Sequence, residues 1–151
     1  MRNQRGRSKL IYVIKSLYKV PIPSVEFEGG GAYMCGDTIR YEYFRDRVIY
    51  RSGIRFKSMA AIRIRAERCC TVTYIEGVYD TLSEVENSSW VAEIRADTQE
   101  QWRNHWNMRH FMIYLDSSGC FEVIADDWDA LPEEKGAWSD ISLQVKGVVP
   151  Q

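Results

Sequence analysis

The sequence has few of the residues that build metal sites. It contains only 2 histidines and 4 cysteines, and no two cysteines have the Cys-x-x-Cys spacing of a zinc site. Cys69 and Cys70 are adjacent, and neighbouring side chains of a strand point to opposite faces, so these thiols are poorly placed to bridge to each other. Cys35 and Cys120 stand alone. We therefore expect reduced thiols, no metal and no cofactor, as is usual in the cytoplasm.

Long hydrophobic runs are also missing. No apolar stretch approaches the roughly 18 residues that a membrane-spanning helix needs. The early apolar cluster at residues 10–14 is too short for the apolar core of a secretory signal. We therefore expect no membrane span and a cytoplasmic location.

Motifs of catalytic or phosphate-binding sites are missing as well. Residues 29–31 are glycines but lack the Lys-Ser/Thr of a P-loop, so a hairpin connection is the better interpretation. The acids of residues 126–134 do not follow the EF-hand pattern. A cysteine nucleophile paired with His105 or His110 has no local support, and a structural hydrogen bond is the simpler role for His110. No residue is predicted to be catalytic, and nothing marks the chain as an enzyme.

The net charge of -1 conceals an asymmetry between the two halves of the chain. Residues 1–70 contain 15 Lys and Arg against 6 Asp and Glu, whereas residues 71–151 contain 5 against 15, so the balances are +9 and -10. If basic and acidic strands interleave in one domain, their charges pair internally. If they do not, the basic strands form a face for nucleic acid or anionic lipid. Internal pairing is the preferred interpretation.

Arginines and tyrosines alternate within the basic half. A sheet that presents arginine beside aromatic rings can bind single-stranded nucleic acid by phosphate contacts and base stacking. The candidate binding residues are Arg40, Tyr41, Tyr43, Arg55, Arg63 and Arg65. In the competing interpretation the tyrosines face the core, and the arginines pair with acids of the C-terminal half.

The length of 151 residues is typical of a single domain with its own core. Residues 1–9 are predicted to be a basic, disordered arm, followed by one globular domain over residues 10–151. Residues 10–17 fit helical spacing and favour a short helix before Pro21, although alternation around Val13 would also fit a strand.

The clearest structural signal lies between residues 108 and 125. Two β-rich runs, 111–115 and 120–124, flank Asp116-Ser117-Ser118-Gly119, a sequence that predicts a hairpin with a type I turn. Alternation places five apolar side chains on one face: Phe111, Ile113, Leu115, Phe121 and Val123. The hairpin is therefore expected to cover a core.

The region before this hairpin reads as a series of short strands. The predicted strands are 25–28, 33–35, 39–44, 48–50, 54–57, 60–66 and 72–74. Alternation is clearest where Ile39, Tyr41 and Tyr43 share one face, and Ser52-Gly53 is expected to separate two of the strands. Strands so closely spaced predict an antiparallel sheet, either curled or closed into a small barrel.

The segment after residue 80 is more polar and adds the helical content. Residues 90–95 predict a further strand, whereas Thr98 and Gln101 resemble a capping box that opens a helix with two tryptophans. Residues 126–131 predict a short turn or helix. The predicted fold class is α+β, predominantly antiparallel β-sheet with one or two short helices.

For function, the sequence favours a non-catalytic binding or interaction module. Its partner would be a protein or a small anionic or aromatic ligand, because the sheet is well specified, aromatics are many and no catalytic motif is present. The alternative is a nucleic-acid or polyanion binding domain that uses the Arg-rich strands of residues 40–68. A hydrolase or transferase that uses a cysteine or the acids of residues 126–134 ranks third.

Overall fold

The computed structural model describes residues 13–141, so the whole predicted arm, residues 1–9, lies outside the described residues. The fold is α+β and mostly antiparallel, as predicted. The strands are β1 (Val13–Lys19), β2 (Tyr33–Cys35), β3 (Thr38–Arg45), β4 (Val48–Lys57), β5 (Ala61–Arg65), β6 (Thr81–Glu86), β7 (Arg109–Leu115), β8 (Gly119–Ala125), β9 (Asp127–Ala130) and β10 (Glu134–Lys135). Helix α1 spans Ser89–Asp97, and 3-10 helices span Ser24–Glu26, Glu67–Cys69 and Glu100–Trp102.

The strands form two antiparallel sheets. Sheet I has the order β1-β6-β7-β8-β5, and sheet II has the order β10-β4-β3-β2, with β9 also pairing with β4. A barrel needs an unbroken ring of hydrogen-bonded strands. Within residues 13–141 no ladder joins sheet I to sheet II, so the predicted sheet is two facing sheets and the barrel alternative does not occur.

The main core lies between the two sheets. Sheet II contributes Ile39, Tyr41, Tyr43, Ile54 and Phe56, all at most 1% exposed. Sheet I contributes Phe111, Ile113, Leu115, Phe121 and Val123, all at most 2% exposed. These are the faces that alternation predicted, and both rows pack together because an antiparallel sheet buries every second side chain.

The two central strands of sheet I are covered on both faces. On the face turned away from sheet II, Met112 and Cys120 pack with Val78 of the segment between β5 and β6. Farther along the same face, Ile124 packs with Trp90 of α1. The hairpin β7–β8 therefore holds together the sandwich, the helix and the covering segment.

The predicted hairpin is confirmed, with a different turn. Leu115 pairs with Gly119, so the glycine belongs to the ladder instead of ending the turn. The Ser118 amide donates to the Leu115 carbonyl at 3.1 Å, and Ser117 has a φ of 62°. The type I prediction is wrong, because that turn needs a negative φ at both central residues.

The helix expected over residues 10–17 is wrong in its described part. Val13–Lys19 forms β1, which pairs antiparallel with β6 along the edge of sheet I. The pairing satisfies backbone N–H and C=O groups of both strands. This stabilisation comes from a strand far away in the sequence, so the local spacing of apolar residues does not reveal it.

The strand expected over residues 90–95 is also wrong, because this segment lies in α1. Ser88 caps the helix: its side-chain oxygen accepts a hydrogen bond from the Val91 amide at 3.1 Å. At the other end, the Thr98 hydroxyl donates back to the Ile94 carbonyl at 2.7 Å. Thr98 thus ends α1, and the helix expected after it is limited to Glu100–Trp102.

Other short segments differ from the predictions. The expected strand at 25–28 is replaced by the 3-10 helix Ser24–Glu26, and the one at 72–74 by turns. The turn or helix expected at 126–131 is instead β9, which pairs with β4. Ser52-Gly53 does not divide two strands, because β4 runs through it and the Gly53 carbonyl accepts from the Leu131 amide at 2.9 Å.

Over the described part of the chain, no helix has the length and apolar character needed to cross a bilayer.

A substitution of Gly119, at the start of β8, tests how closely β8 approaches β5. Gly119 has a φ of 113°, and a Cβ there would lie 2.2 Å from the Arg65 carbonyl oxygen; Gly30 has a φ of 88° but no atom within 4 Å of such a Cβ. We expect Gly30→Ala to lower the free energy of unfolding by about 1–2 kcal/mol from backbone strain alone. Gly119→Ala adds a clash with backbone and should cost about 3 kcal/mol or more. Urea unfolding measures both, and equal losses would contradict the close approach of β5 and β8.

Candidate functional site

A cavity of about 390 Å³ lies on the face of sheet I that is turned away from sheet II. Its size is within the range of small-molecule sites. Its lining consists of Ile14, Arg63, Thr73, Tyr74, Glu76, Gly77, Val85, His110, Met112 and Glu122. The strands provide the floor, and the segment between β5 and β6 provides the outer wall.

The register of sheet I brings the polar floor together. Arg63 of β5 lies opposite Glu122 of β8, and Met112 of β7 lies opposite the same glutamate. His110 precedes Met112 by two residues and so shares its face. Three strands that are separate in the sequence therefore place a cation, an imidazole and a carboxylate side by side.

Glu122 is the centre of this arrangement and is only 3% exposed. Its Oε1 accepts hydrogen bonds from His110 Nε2 at 2.8 Å and from Arg63 at 3.0 Å. Its Oε2 accepts a hydrogen bond from the Tyr74 hydroxyl. A buried carboxylate is costly unless it is paired and hydrogen-bonded, and here both oxygens have donors.

These contacts keep Glu122 ionised. Burial by itself raises the pKa of Glu122, but the hydrogen bonds from His110, Arg63 and Tyr74 outweigh it and lower the pKa to about 2. Burial and the bond to Glu122 raise the pKa of the Tyr74 hydroxyl, which therefore remains a donor. Because an ionised carboxylate has no proton to give, His110 Nε2 carries the proton that joins the two side chains.

The other nitrogen of His110 faces α1. His110 Nδ1 lies 2.7 Å from the Ser88 hydroxyl oxygen, which also caps the helix. The Trp90 ring stands edge-on to the imidazole at 5.1 Å, and the Arg63 guanidinium lies 4.1 Å from the centre of the same indole. The imidazole is thus held on both nitrogens and along its ring.

The structure disperses the six candidate binding residues that the sequence predicts. Tyr41 and Tyr43 are fully buried in the main core, so neither ring offers a stacking surface. Arg40 lies over the Trp138 ring at 4.3 Å, and Arg55 is 3.5 Å from Asp129. These four residues do not form a common surface.

Arg63 and Arg65, the other two candidates, lie beside the cavity. Arg63 is part of its lining, and Arg65 lies 3.7 Å from the centre of the Tyr74 ring. They support the cavity by holding Glu122 and Tyr74 in place.

Ion pairs join the basic half of the chain to the acidic half. These pairs are Arg45–Glu133, Arg51–Glu134, Arg55–Asp129, Lys57–Asp129 and Arg63–Glu122. Each sheet contains strands of both halves, which adjoin where β1 pairs with β6, β5 with β8, and β4 with β9 and β10. This mixing is what the internal-pairing interpretation requires.

Sequence reasoning missed three members of the site: Glu122, Tyr74 and Ser88. The signal for Glu122 was present, because it is the one charged residue in β8, whose other residues are apolar or glycine. A single acid inside such a strand needs buried partners. Ser88 was hidden because the residues after it were predicted as a strand, which has no N-cap.

Metal binding and thiol chemistry have little basis in the described region. Within residues 13–141 no group of three His, Cys, Asp or Glu side chains is placed to hold a metal ion. The four cysteines are free thiols, and burial raises the pKa of Cys120, which opposes formation of its thiolate.

The chain matches no protein-family model, and comparisons with curated proteins and with solved structures give no match. Function must therefore be argued from the chemistry of the site itself.

The buried carboxylate predicts a pH dependence of stability. The pKa of Glu122 is about 2 in the folded chain against 4.5 for a free side chain. Its contribution, about 3 kcal/mol, is therefore present above pH 4.5 and is lost as the pH falls towards 2. We expect Glu122→Gln to lower the free energy of unfolding at neutral pH and to remove this acid-dependent loss. Glu134→Gln, at an exposed ion pair, is the control and should change little. Equal pH profiles for wild type and Glu122→Gln would contradict the assignment.

Proposed function

We propose that the chain is a binding module for a small ligand with an uncharged aromatic or aliphatic body, held in the cavity on sheet I. The observation that carries the proposal is a cavity of about 390 Å³ whose strands present apolar side chains beside polar groups that satisfy one another. Ligand pockets commonly combine an apolar lining with a few fixed polar groups that orient the ligand.

The charges around the cavity favour an uncharged ligand over an anion. Arg63 is paired with Glu122, so the floor carries no excess positive charge. Glu76 adds a carboxylate to the lining. An anion would meet this carboxylate without an unpaired cation to offset it, whereas an apolar body gains from burial against Ile14, Val85 and Met112.

The outer wall allows the cavity to be closed without changing the sheets. Thr73 is an exposed residue of the lining, and its neighbour Val72 is 84% exposed and is not part of the lining. We expect a large side chain at residue 73 to occupy part of the cavity, and the same side chain at residue 72 to extend into solvent.

Two fluorescent probes test the proposal. N-phenyl-1-naphthylamine is neutral, and 1-anilinonaphthalene-8-sulfonate has a similar aromatic body with a negative charge. We expect saturable binding of the neutral probe, with the anion binding more weakly. Thr73→Trp should reduce the affinity at least tenfold, about 1.4 kcal/mol, and Val72→Trp should leave it unchanged. Near-UV circular dichroism confirms that the variants are folded. Unchanged binding by Thr73→Trp, or no binding by wild type, would contradict the proposal.

The alternative, polyanion binding through residues 40–68, has less support. Several basic side chains of these strands are paired with carboxylates, and the tyrosines that would stack on bases lie in the core. Recognition of single strands requires both a continuous basic groove and accessible rings.

Retention on heparin distinguishes this alternative. We expect Arg40→Gln, Arg55→Gln and Arg65→Gln, combined in one chain, to elute at the same salt concentration as wild type, because these cations contact carboxylates or rings instead of forming one patch. Changing Arg2, Arg5 and Arg7 together to Gln is the matched control for the N-terminal segment. Elution of the first triple variant at clearly lower salt, with no shift in the control, would support polyanion binding instead.

A further inference from the structure

Ser88, His110 and Glu122 form a continuous hydrogen-bonded chain. The Ser88 hydroxyl oxygen lies 2.7 Å from His110 Nδ1, and His110 Nε2 lies 2.8 Å from Glu122 Oε1. A hydroxyl, an imidazole and a carboxylate in this order are the arrangement that activates a serine nucleophile. The three residues of this hydrogen-bonded series lie on three elements, namely the start of α1, β7 and β8.

The direction of each hydrogen bond follows from its neighbours. Glu122 also accepts from Arg63 and Tyr74, and as a carboxylate it can only accept from His110 Nε2. In the neutral imidazole, Nδ1 is then an acceptor. The Ser88 hydroxyl, whose oxygen accepts from the Val91 amide, can donate its own proton to this acceptor nitrogen. The serine proton thus points at a base.

We propose that Ser88 is a nucleophile and that the chain hydrolyses small carboxylic esters at the start of α1. Ser88 Oγ forms a bond to the ester carbonyl carbon while its proton passes to His110 Nδ1. The bond from the carbonyl carbon to the alkoxide oxygen breaks, and His110 gives the proton to that oxygen, so that the alcohol leaves. Water then attacks the acyl-serine by the same route in reverse, which releases the carboxylic acid and restores Ser88.

The position of Ser88 suits this chemistry. Ser88 is partly exposed, so a substrate can reach its hydroxyl, whereas His110 and Glu122 are each 3% exposed and are held by their hydrogen bonds. Asn87, with a φ of 56°, makes the sharp turn from β6 into the helix. The positive end of the nine-residue helix α1 lies at the serine and favours the negative charge that develops on the carbonyl oxygen.

Glu122 acts here as a positioning residue for the imidazole. It holds the proton of His110 on Nε2 and leaves Nδ1 available to the serine. The inference goes beyond ligand binding in the cavity: Ser88 is not part of the cavity lining, whereas His110 and Glu122 belong to both sites.

Labelling with a fluorophosphonate tests the nucleophile. The reaction forms a Ser88 Oγ–P bond and releases fluoride, and the proton passes to His110. We expect mass spectrometry of the full chain to find one label, on Ser88. Ser88→Asn removes the nucleophile but keeps a residue that caps the helix well, so it should fold and remain unlabelled. Ser89→Ala, the adjacent exposed serine, should label like wild type.

Two further variants test the base and the positioning residue. His110→Gln should slow labelling about 100-fold or more. Imidazole 15N shifts should show His110 of wild type protonated on Nε2, and Glu122→Gln should lose this preference and slow labelling, at a temperature where circular dichroism shows it folded. No label on wild type, equal labelling of Ser88→Asn, or an unchanged rate and tautomer in Glu122→Gln would overturn the proposal.

The same variants connect the label to hydrolysis. With p-nitrophenyl acetate we expect wild type and Ser89→Ala to release p-nitrophenol and to carry an acetyl group on Ser88. Ser88→Asn should show neither. Acetylation of Ser88→Asn at the rate of wild type would overturn the proposal.

Discussion

The ionised Glu122 side chain is the constraint on which this molecule depends most. A carboxylate 3% exposed in a central strand must have donors, and β5, β7 and the segment between β5 and β6 each provide one. The same requirement fixes the tautomer of His110 and the rotamer of Arg63. The hydrogen bonds that the Glu122 carboxylate requires therefore connect three strands, the outer wall of the cavity and the imidazole that faces α1.

Period-two alternation allowed the sheets to be predicted from the sequence. Ile39, Tyr41 and Tyr43 alternate cleanly, as do the two strands of the hairpin at residues 109–125, so both pairs of strands were predicted correctly, although the type of turn was not. The errors at residues 13–19 and 90–95 have a different origin. There the apolar spacing fits both periods, and the outcome depends on pairing with β6 and on the Ser88 cap, neither of which a local window contains.

The site was harder to predict than the fold because its members are far apart in sequence. Arg63, Ser88, His110 and Glu122 meet only through the β5–β8 and β7–β8 registers and the crossing of α1. Charge counting found the arginine but assigned it to a surface, since the sequence does not say which acid lies opposite it. The isolated acid of β8 was the one local signal, and it points to a buried network without identifying its donors.

The two sides of the cavity belong to different kinds of structure. Its floor is fixed by strand ladders, whereas its outer wall around Thr73 and Gly77 is made of turns that Glu67 anchors at one end and Val78 at the other. Changes in the length or side chains of that wall need not disturb the register of the sheets. Apart from Tyr74, which donates to Glu122, the wall can therefore change the shape of the cavity without changing the strands that build the fold.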